Sequence, residues 1–471
     1  MLLTVLVVFF YVSGVLSALN AAMTARTSQG AVAWIVALVS FPFVAVPAYW
    51  VLGRSKFKGF ADAYESNKDE IDAVVEDIVT NLAPDAVDLA DRSPHLRAMS
   101  RLAGYPFVGG NAAELLVNGE ATFDSILAGI ADARDYVFVQ FYIVRDDDLG
   151  RRLAAALAER ARAGVRVYLL YDEIGSFGLP ASYGDELRHA GVEVSAFGAN
   201  RGRRNRFQLN FRNHRKIVVV DGKVGWVGGH NVGDEYLGRD RKLSPWRDTH
   251  VRLEGPVVIQ LQGVVVSDWY WATRELPRVS WTPTPAAHGA SPALIVPSAP
   301  TQQFETAGLM YVLALNAARS RIWLTAPYFV PDEAVMKALE LAALRGVDVR
   351  ILVPGKSDSI LVSLAARHYI ARLAQCGIRF CEYRPGFLHQ KVALIDDETS
   401  FVGTANFDNR SFRLNFEVTA LIYDKAFAAR MATMLEQDFD HGNELDAEGL
   451  QGANFASRLV VSLARLLAPV L

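Results

Sequence analysis

The 471-residue sequence predicts an α/β protein made from a duplicated unit. Each copy is expected to be a mixed, mainly parallel sheet flanked by helices. The two copies are expected to pack about a pseudo-twofold axis, behind an N-terminal two-helix transmembrane hairpin. Three observations predict this. The first 53 residues are almost free of charge. A strand–helix pattern occurs twice at a nearly constant offset. One motif, rich in charge and then in glycine, recurs with identical internal spacing.

The N-terminus comes first. Met1 to Ala25 holds no charged side chain, and after Arg26 the chain is again uncharged from Thr27 to Gly53. Each stretch supplies the roughly 20 apolar residues a helix needs to cross a bilayer. Spans are expected near Leu2–Leu19 and Ala31–Leu52, the second with Trp34 near one end and Tyr49 and Trp50 near the other, as interfacial aromatics sit. Pro42 and Pro47 are tolerable where a neighbouring helix covers the freed carbonyls. The basic n-region and small-residue cleavage site of a signal peptide are missing. Arg54, Lys56 and Lys58 follow the second stretch, against Arg26 alone in the connecting loop. The positive-inside rule therefore places the body in the cytoplasm of a multi-pass protein.

Residues 54–114 are polar and helix-like, and read as a linker that docks on the body. The first unit is expected over 115–275. "YVFVQFYIV" at 136–144 and "VRVYLLYD" at 165–172 are near-continuous apolar runs, the pattern of strands buried on both faces. Between them, "LGRRLAAALAERARAG" reads as a helix closed by a glycine. The second unit, over 301–445, repeats the order with "RIWLTAPYFV", "EAVMKALELAALRG" and "VDVRILVP". Gly164 and Gly346 are 182 residues apart, and Gly191 and Gly377 are 186 apart. The connector, 276–300, contains six prolines. Residues 446–471 form a C-terminal amphipathic segment, suited either to a membrane interface or to closing the core. Net charge is −3, so charge as a whole excludes little. The two cysteines, Cys376 and Cys381, make neither a disulfide framework nor a zinc site.

The repeated motif carries the chemistry. It reads His214-x-Lys216, Asp221, Gly228-Gly229-x-Asn231, and then His389-x-Lys391, Asp396, Gly403-Thr404-x-Asn406. Residues i and i+2 of a strand share a face, so each histidine emerges beside its lysine. The small residues allow close approach of a ligand or of a neighbouring strand. Brought together, the copies offer two histidines, two lysines and two asparagines, a set suited to a phosphodiester. Lysines and asparagines hold the non-bridging oxygens. One imidazole attacks phosphorus, while the other protonates the leaving alkoxide and later deprotonates an incoming alcohol. No cofactor is expected. No metal is expected either, since the lysines repel a cation and no cysteine or carboxylate clearly completes a ligand set. Asp221 and Asp396 belong to the motif and are expected to end the strand and brace its turn. Asp248 and Glu417, at matching places later in each unit, are candidates to accept a histidine Nδ1 proton. Arg212 and Arg215 are candidate substrate contacts. They lie in a basic run with Arg201, Arg203, Arg204 and Arg206, suited to anionic lipid headgroups.

These residues resemble the phospholipase D superfamily, whose signature is a doubled His-Lys-Asp motif. The hairpin, "RNHRKIVVVDGKVGWVGGHNVGDEYLG", "WRDTHVRLEGPVV" and "RSFRLNFEV" resemble its bacterial cardiolipin-forming branch. The resemblance implies an enzyme of the bacterial inner membrane. It would move a phosphatidyl group from one phosphatidylglycerol to a histidine, releasing glycerol, and then to a second phosphatidylglycerol. It also implies His214 as nucleophile and His389 as acid/base. Gly229 and Thr404 stand where relatives often have serine. Other acceptors, water or serine, would give a phospholipid hydrolase or a phosphatidylserine synthase. A nuclease-like phosphodiesterase would use the basic run as a nucleic-acid groove; the hairpin disfavours it, and no nucleic-acid partner is expected.

Overall fold

The computed structural model describes residues 1–25, 27–53, 68–89, 94–198, 210–446 and 455–468. Arg26, Arg54, Lys56 and Lys58, and the arginines at 201, 203, 204 and 206, lie outside the described residues.

Leu2–Thr24 is one apolar helix of 23 residues, long enough to cross a membrane. The second apolar stretch differs from the single helix expected over Ala31–Leu52. It forms two helices, Ser28–Ser40 and Pro42–Leu52, broken at Phe41. The cause is local: a proline drives the residue before it out of helical conformation, and Phe41 has φ −134° and ψ 58°. The three helices pack on one another. A Cβ on Gly14 would stand 2.5 Å from the Leu38 carbonyl oxygen, and the Tyr49 hydroxyl donates to Asn20 Oδ1 at 2.8 Å.

The docking segment uses its apolar faces. Ile78 and Leu82 of the helix Lys68–Leu82 enter the core of the body, and Leu96, Met99 and Ala103 of Pro94–Ala103 enter that of the second unit. The first strand, Val108–Val117, starts seven residues before the boundary drawn at 115. Ser291–Ser298 is also a strand, so the connector ends before it.

Both units share one sheet, and its order is palindromic. At the seam, Val108–Val117 pairs antiparallel with Ser291–Ser298. Outward into the first unit come Thr249–Glu254, Val224–Gly228, Ile217–Val220, Tyr136–Phe141, Arg166–Asp172 and Glu193–Phe197. Outward into the second come Asn415–Tyr423, Thr399–Gly403, Val392–Ile395, Arg321–Thr325, Asp348–Pro354 and Arg379–Tyr383, with Gly442–Glu444 beyond them. The pseudo-twofold axis passes through the seam. The sheet is mixed, but antiparallel pairs outnumber parallel ones, which along the main strand order lie among the outer strands of each unit. The reason lies in the motif itself. Asp221 and Asp396 adopt left-handed backbone, φ 53° each, and turn the histidine-bearing strand into a hairpin rather than a crossover.

At the C-terminus, Phe455–Arg465 packs on Ile360–Ala374 through Ala464, while Phe455, Leu459 and Leu463 stay exposed. Residues 469–471 lie outside the described residues.

Candidate active site

Each motif histidine is pinned at the backbone by the other unit. Arg212–Asn213 pairs in parallel with Asn415 and Phe416, and the His214 amide donates to the Phe416 carbonyl at 2.9 Å. Phe387–Leu388 pairs with Trp246–Arg247, and the His389 amide donates to the Arg247 carbonyl at 2.8 Å. The apolar strands that follow, Ile217–Val220 and Val392–Ile395, are buried throughout. They hold the histidine–lysine pairs as rigidly as the core itself.

The side chains cross in the same way. His214 Nδ1 lies 2.9 Å from Glu417 Oε2, and His389 Nδ1 lies 2.7 Å from Asp248 Oδ2. Each unit thus orients the other's ring. With Nδ1–H donating to a carboxylate, each Nε2 keeps its lone pair for the reacting atom. Burial pushes His214 down to about 4 against the opposing pull of the Glu417 charge. Burial and then the Lys391 charge push His389 down to about 3. The carboxylates stay ionised. Burial alone would raise Asp248, but Lys391, His230 and His389 outweigh it and hold it well below the usual range. Glu417 is likewise lowered despite burial, by His214, Lys216 and the Thr404 hydroxyl.

Both lysines are buried and donate to the carbonyl of their own motif histidine: Lys216 Nζ at 2.6 Å to His214 O, and Lys391 Nζ to His389 O. Burial lowers Lys216 well below its usual value, with Lys391 adding to the effect. Burial brings Lys391 to about 8, opposed by Asp248 and Glu417. Each lysine also adds to the lowering of the other motif's histidine.

Other sequence-predicted positions take different places. Asp221 and Asp396 sit at the far end of their strands from the histidines. Asp221 accepts from the amides of Arg134, Asp135 and Tyr136, and Asp396 from those of Arg319, Ser320 and Arg321. They brace the turn and satisfy a strand start. Gly228 and Gly403 face a neighbouring strand rather than a ligand. A Cβ would meet the Thr249 carbonyl at 2.4 Å in one case and the Val418 carbonyl at 2.6 Å in the other. A Cβ on Gly229 would stand 2.0 Å from Asp248 Oδ1, whereas Thr404 Oγ1 donates to Glu417 Oε2 at 2.6 Å. That pair answers to the carboxylates, not to substrate. Asn231 is engaged by protein, accepting from the Ile143 amide at 3.1 Å and donating to the Tyr236 hydroxyl at 3.0 Å. Asn406 is buried with no hydrogen-bond partner for Oδ1 among the described residues.

Arg215 is committed within the protein. It is buried, pairs with Asp268 Oδ1 at 2.7 Å, and reaches across the seam to the carbonyls of Glu417 and Ser298. Arg247 is the counterpart clamp, bidentate on Asp438 at 2.7 and 2.6 Å. Arg212 is half-buried beside Tyr142, whose ring stands 4.9 Å from that of His214.

The aromatic neighbours were not singled out in the sequence. Tyr142 and Tyr328 lean on His214 and His389 respectively, and the Trp246 ring lies tilted 5.0 Å from that of His389. The tyrosines are 186 residues apart, the offset already seen at Gly191 and Gly377, and that equality was the available signal. Behind Gly229 lies a buried pair, His230 and His250, with Nδ1 atoms 3.1 Å apart.

Comparison with known proteins adds to this geometry. The family model described as "Cardiolipin synthase, PLD-like domain" matches residues 126–243 and again 311–439. Cardiolipin synthase A of Pseudomonas putida (strain F1) is 46% identical over 463 residues, 97% of this chain and 96% of that protein. Cardiolipin synthase A of Pseudomonas fluorescens (strain Pf-5) is 46% identical over 471 residues, 99% of this chain and 98% of that one. Among solved structures, phosphatidylserine synthase of Haemophilus influenzae covers 80% of this chain and all of its own, with TM-score 0.61 and 13% identity, a likeness of fold.

Proposed function

Because the chain belongs to the cardiolipin synthase family with phospholipase D-like domains, we propose that it joins two phosphatidylglycerols into cardiolipin through a phosphohistidine. The observation that carries the proposal is the crossed pairing of each histidine with the other unit's carboxylate.

The steps follow from the geometry. The Nε2 lone pair of one ring attacks phosphorus, and the bond from phosphorus to the glycerol oxygen breaks. The second ring, which takes up a proton at Nε2 when the anionic phosphodiester binds, supplies the proton that turns the alkoxide into free glycerol. That ring then takes the proton from the headgroup hydroxyl of a second phosphatidylglycerol, whose oxygen attacks phosphorus as the phosphorus–nitrogen bond breaks. Lys216 and Lys391 neutralise charge on the non-bridging oxygens. Family resemblance assigns attack to His214 and proton transfer to His389. Asp248 and Glu417 hold the tautomer and stabilise the imidazolium as it forms.

The first apolar helix is proposed to anchor the body in the bacterial inner membrane, where the lipid substrate resides. The uncharged stretch from Thr27 to Gly53 is proposed to return through it despite the break at Phe41. The basic residues after Gly53 keep the body in the cytoplasm. Purified full-length protein given phosphatidylglycerol in micelles, with products resolved by mass, tests the reaction. Cardiolipin and glycerol in equal amounts are expected; phosphatidic acid as sole product would overturn the transfer.

A further inference from the structure

Both units carry a bare apolar side chain at the same end of the sheet as the histidines. In the first, Tyr136–Phe141 runs antiparallel to Ile217–Val220, so it ends beside His214 and Lys216. Arg166–Asp172 runs parallel to it, and the turn that follows opens at that same end. There Ser176 Oγ donates to the Tyr142 carbonyl at 3.2 Å, and the next residue, Phe177, is 85% exposed. In the second unit, Asp348–Pro354 ends on the side of His389 in the same way. The Tyr328 hydroxyl donates to Asp358 Oδ2 at 2.5 Å, and two residues on, Ile360 is 80% exposed. Phe177 and Ile360 are 183 residues apart, within the range of the other duplicated positions. Each tyrosine that leans on a motif histidine is thus joined to a turn that carries an apolar side chain out of the core.

The second unit extends this edge. Ile360 begins the helix Ile360–Ala374, on which the C-terminal helix Phe455–Arg465 packs. That C-terminal helix is turned the opposite way to one that closes a core. Ala464, with Ala468 beyond the helix, is buried with Val330 and Ala365, while Phe455, Leu459 and Leu463, four apart along one face, stay exposed. Val330 is two residues from Tyr328, so this packing reaches the wall of the His389 site. Neither helix holds a carboxylate. Arg372 is paired with Glu340 at 3.0 Å, but Arg367 and Arg458 are exposed, and Arg465 lies 3.2 Å from His368 across the helix pair. Exposed apolar side chains set among cations suit an anionic bilayer surface.

The placement of these side chains follows from what the site must take in. A phospholipid brings its phosphorus to the histidines while its acyl chains stay in the bilayer, so the rim of the site has to lie on the lipid surface. We propose that Phe177, Ile360 and the exposed face of the C-terminal helix sit in the bilayer interface and hold the mouth of the histidine site against it, an inference that rests on the phosphatidyl transfer above.

The first measurement places an environment-sensitive fluorophore on Phe177→Cys, Ile360→Cys or Leu463→Cys. The background is full-length protein with Cys376→Ser and Cys381→Ser, reconstituted in vesicles of phosphatidylglycerol and phosphatidylcholine. Leu344→Cys is the reference: Leu344 is 76% exposed, but it precedes Asp348–Pro354 and so lies at the opposite end of that strand from the histidines. Phosphatidylcholine brominated in its acyl chains is expected to quench the first three probes and not the fourth. Equal quenching of all four, quenching of none, or energy transfer between differently labelled copies without lipid quenching would overturn the proposal.

The second measurement gives the substrate in two forms. In Phe177→Asp and Ile360→Asp, cardiolipin formation from vesicle phosphatidylglycerol is expected to fall about 10-fold, the order of effect of burying one apolar side chain. With the protein in phosphatidylcholine vesicles and short-chain phosphatidylglycerol added as monomers, the rate is expected to stay unchanged. An equal fall with both forms would overturn the surface role. Wild-type protein whose probes are quenched but which forms no cardiolipin from either substrate would overturn the transfer reaction instead.

Discussion

The two units solve one problem with different side chains. In the second, Glu417 receives the Thr404 hydroxyl at 2.6 Å, the Ser411 hydroxyl at 2.8 Å and the Asn415 amide at 3.0 Å, besides the His214 ring. In the first, the shorter Asp248 takes the His389 ring and the Thr249 amide, and lies where a side chain on Gly229 would stand. A long carboxylate needs a fence of donors to fix it; a short one is fixed by its own strand, provided its neighbour has no side chain. The position that differs between the motifs thus compensates for a second difference, 19 residues later in the first unit and 13 later in the second.

Two histidine substitutions break the comparison most severely. His214→Ala and His389→Ala are each expected to cost about 10⁴-fold or more in cardiolipin formation, since each removes a nucleophile or a proton carrier. They should differ in what accumulates. Intact-protein mass after mixing with phosphatidylglycerol is expected to show a phosphatidyl adduct on His389→Ala and none on His214→Ala.

Exchanging the compensating residues sharpens it. Gly229→Thr drives a side chain into Asp248 and is expected to lower activity about 100-fold, while Thr404→Gly removes one donor from Glu417 and is expected to cost about 10-fold. Steady-state rates of the two variants check the order; equal losses would remove the distinction between the units.

Stability tests the buried clamps beneath the histidines. Arg215→Met strands the Asp268 carboxylate, which keeps only the Gln140 and Asn213 amides, and is expected to destabilise the fold by about 3–5 kcal/mol. Thermal unfolding in detergent measures this. Arg247→Met, acting on Asp438, is expected to match it.

The smallest effect concerns protons. Both rings are neutral above about pH 4 in the resting site, because burial lowers them. Entry of an anionic phosphodiester favours the charged ring, so binding at pH 7 is expected to take up about one proton. Calorimetry in buffers of different ionisation enthalpy reads the uptake directly.

Much of the fold was legible because duplication repeats its own evidence. His214 and His389 share every spacing to Asp221 and Asp396, and Pro42 carried the signal for the break at Phe41. That signal was outweighed by the length of the uncharged stretch. The sheet direction was misjudged because buried strands are apolar in parallel and antiparallel sheets alike. Which carboxylate serves which ring was not legible. Asp248 lies 34 residues from His214 and 141 from His389, and only packing across the seam selects the distant one. The Arg215 clamp was hidden for the same reason, since its partner Asp268 is 53 residues away and buried.

The most direct measurement is an experimental structure of the protein with vanadate, which mimics phosphorus in transit. One vanadate lying between His214 Nε2 and His389 Nε2, in contact with both, is the predicted result. Two separate anions, or a single one touching one ring while the other faces elsewhere, would contradict a shared centre.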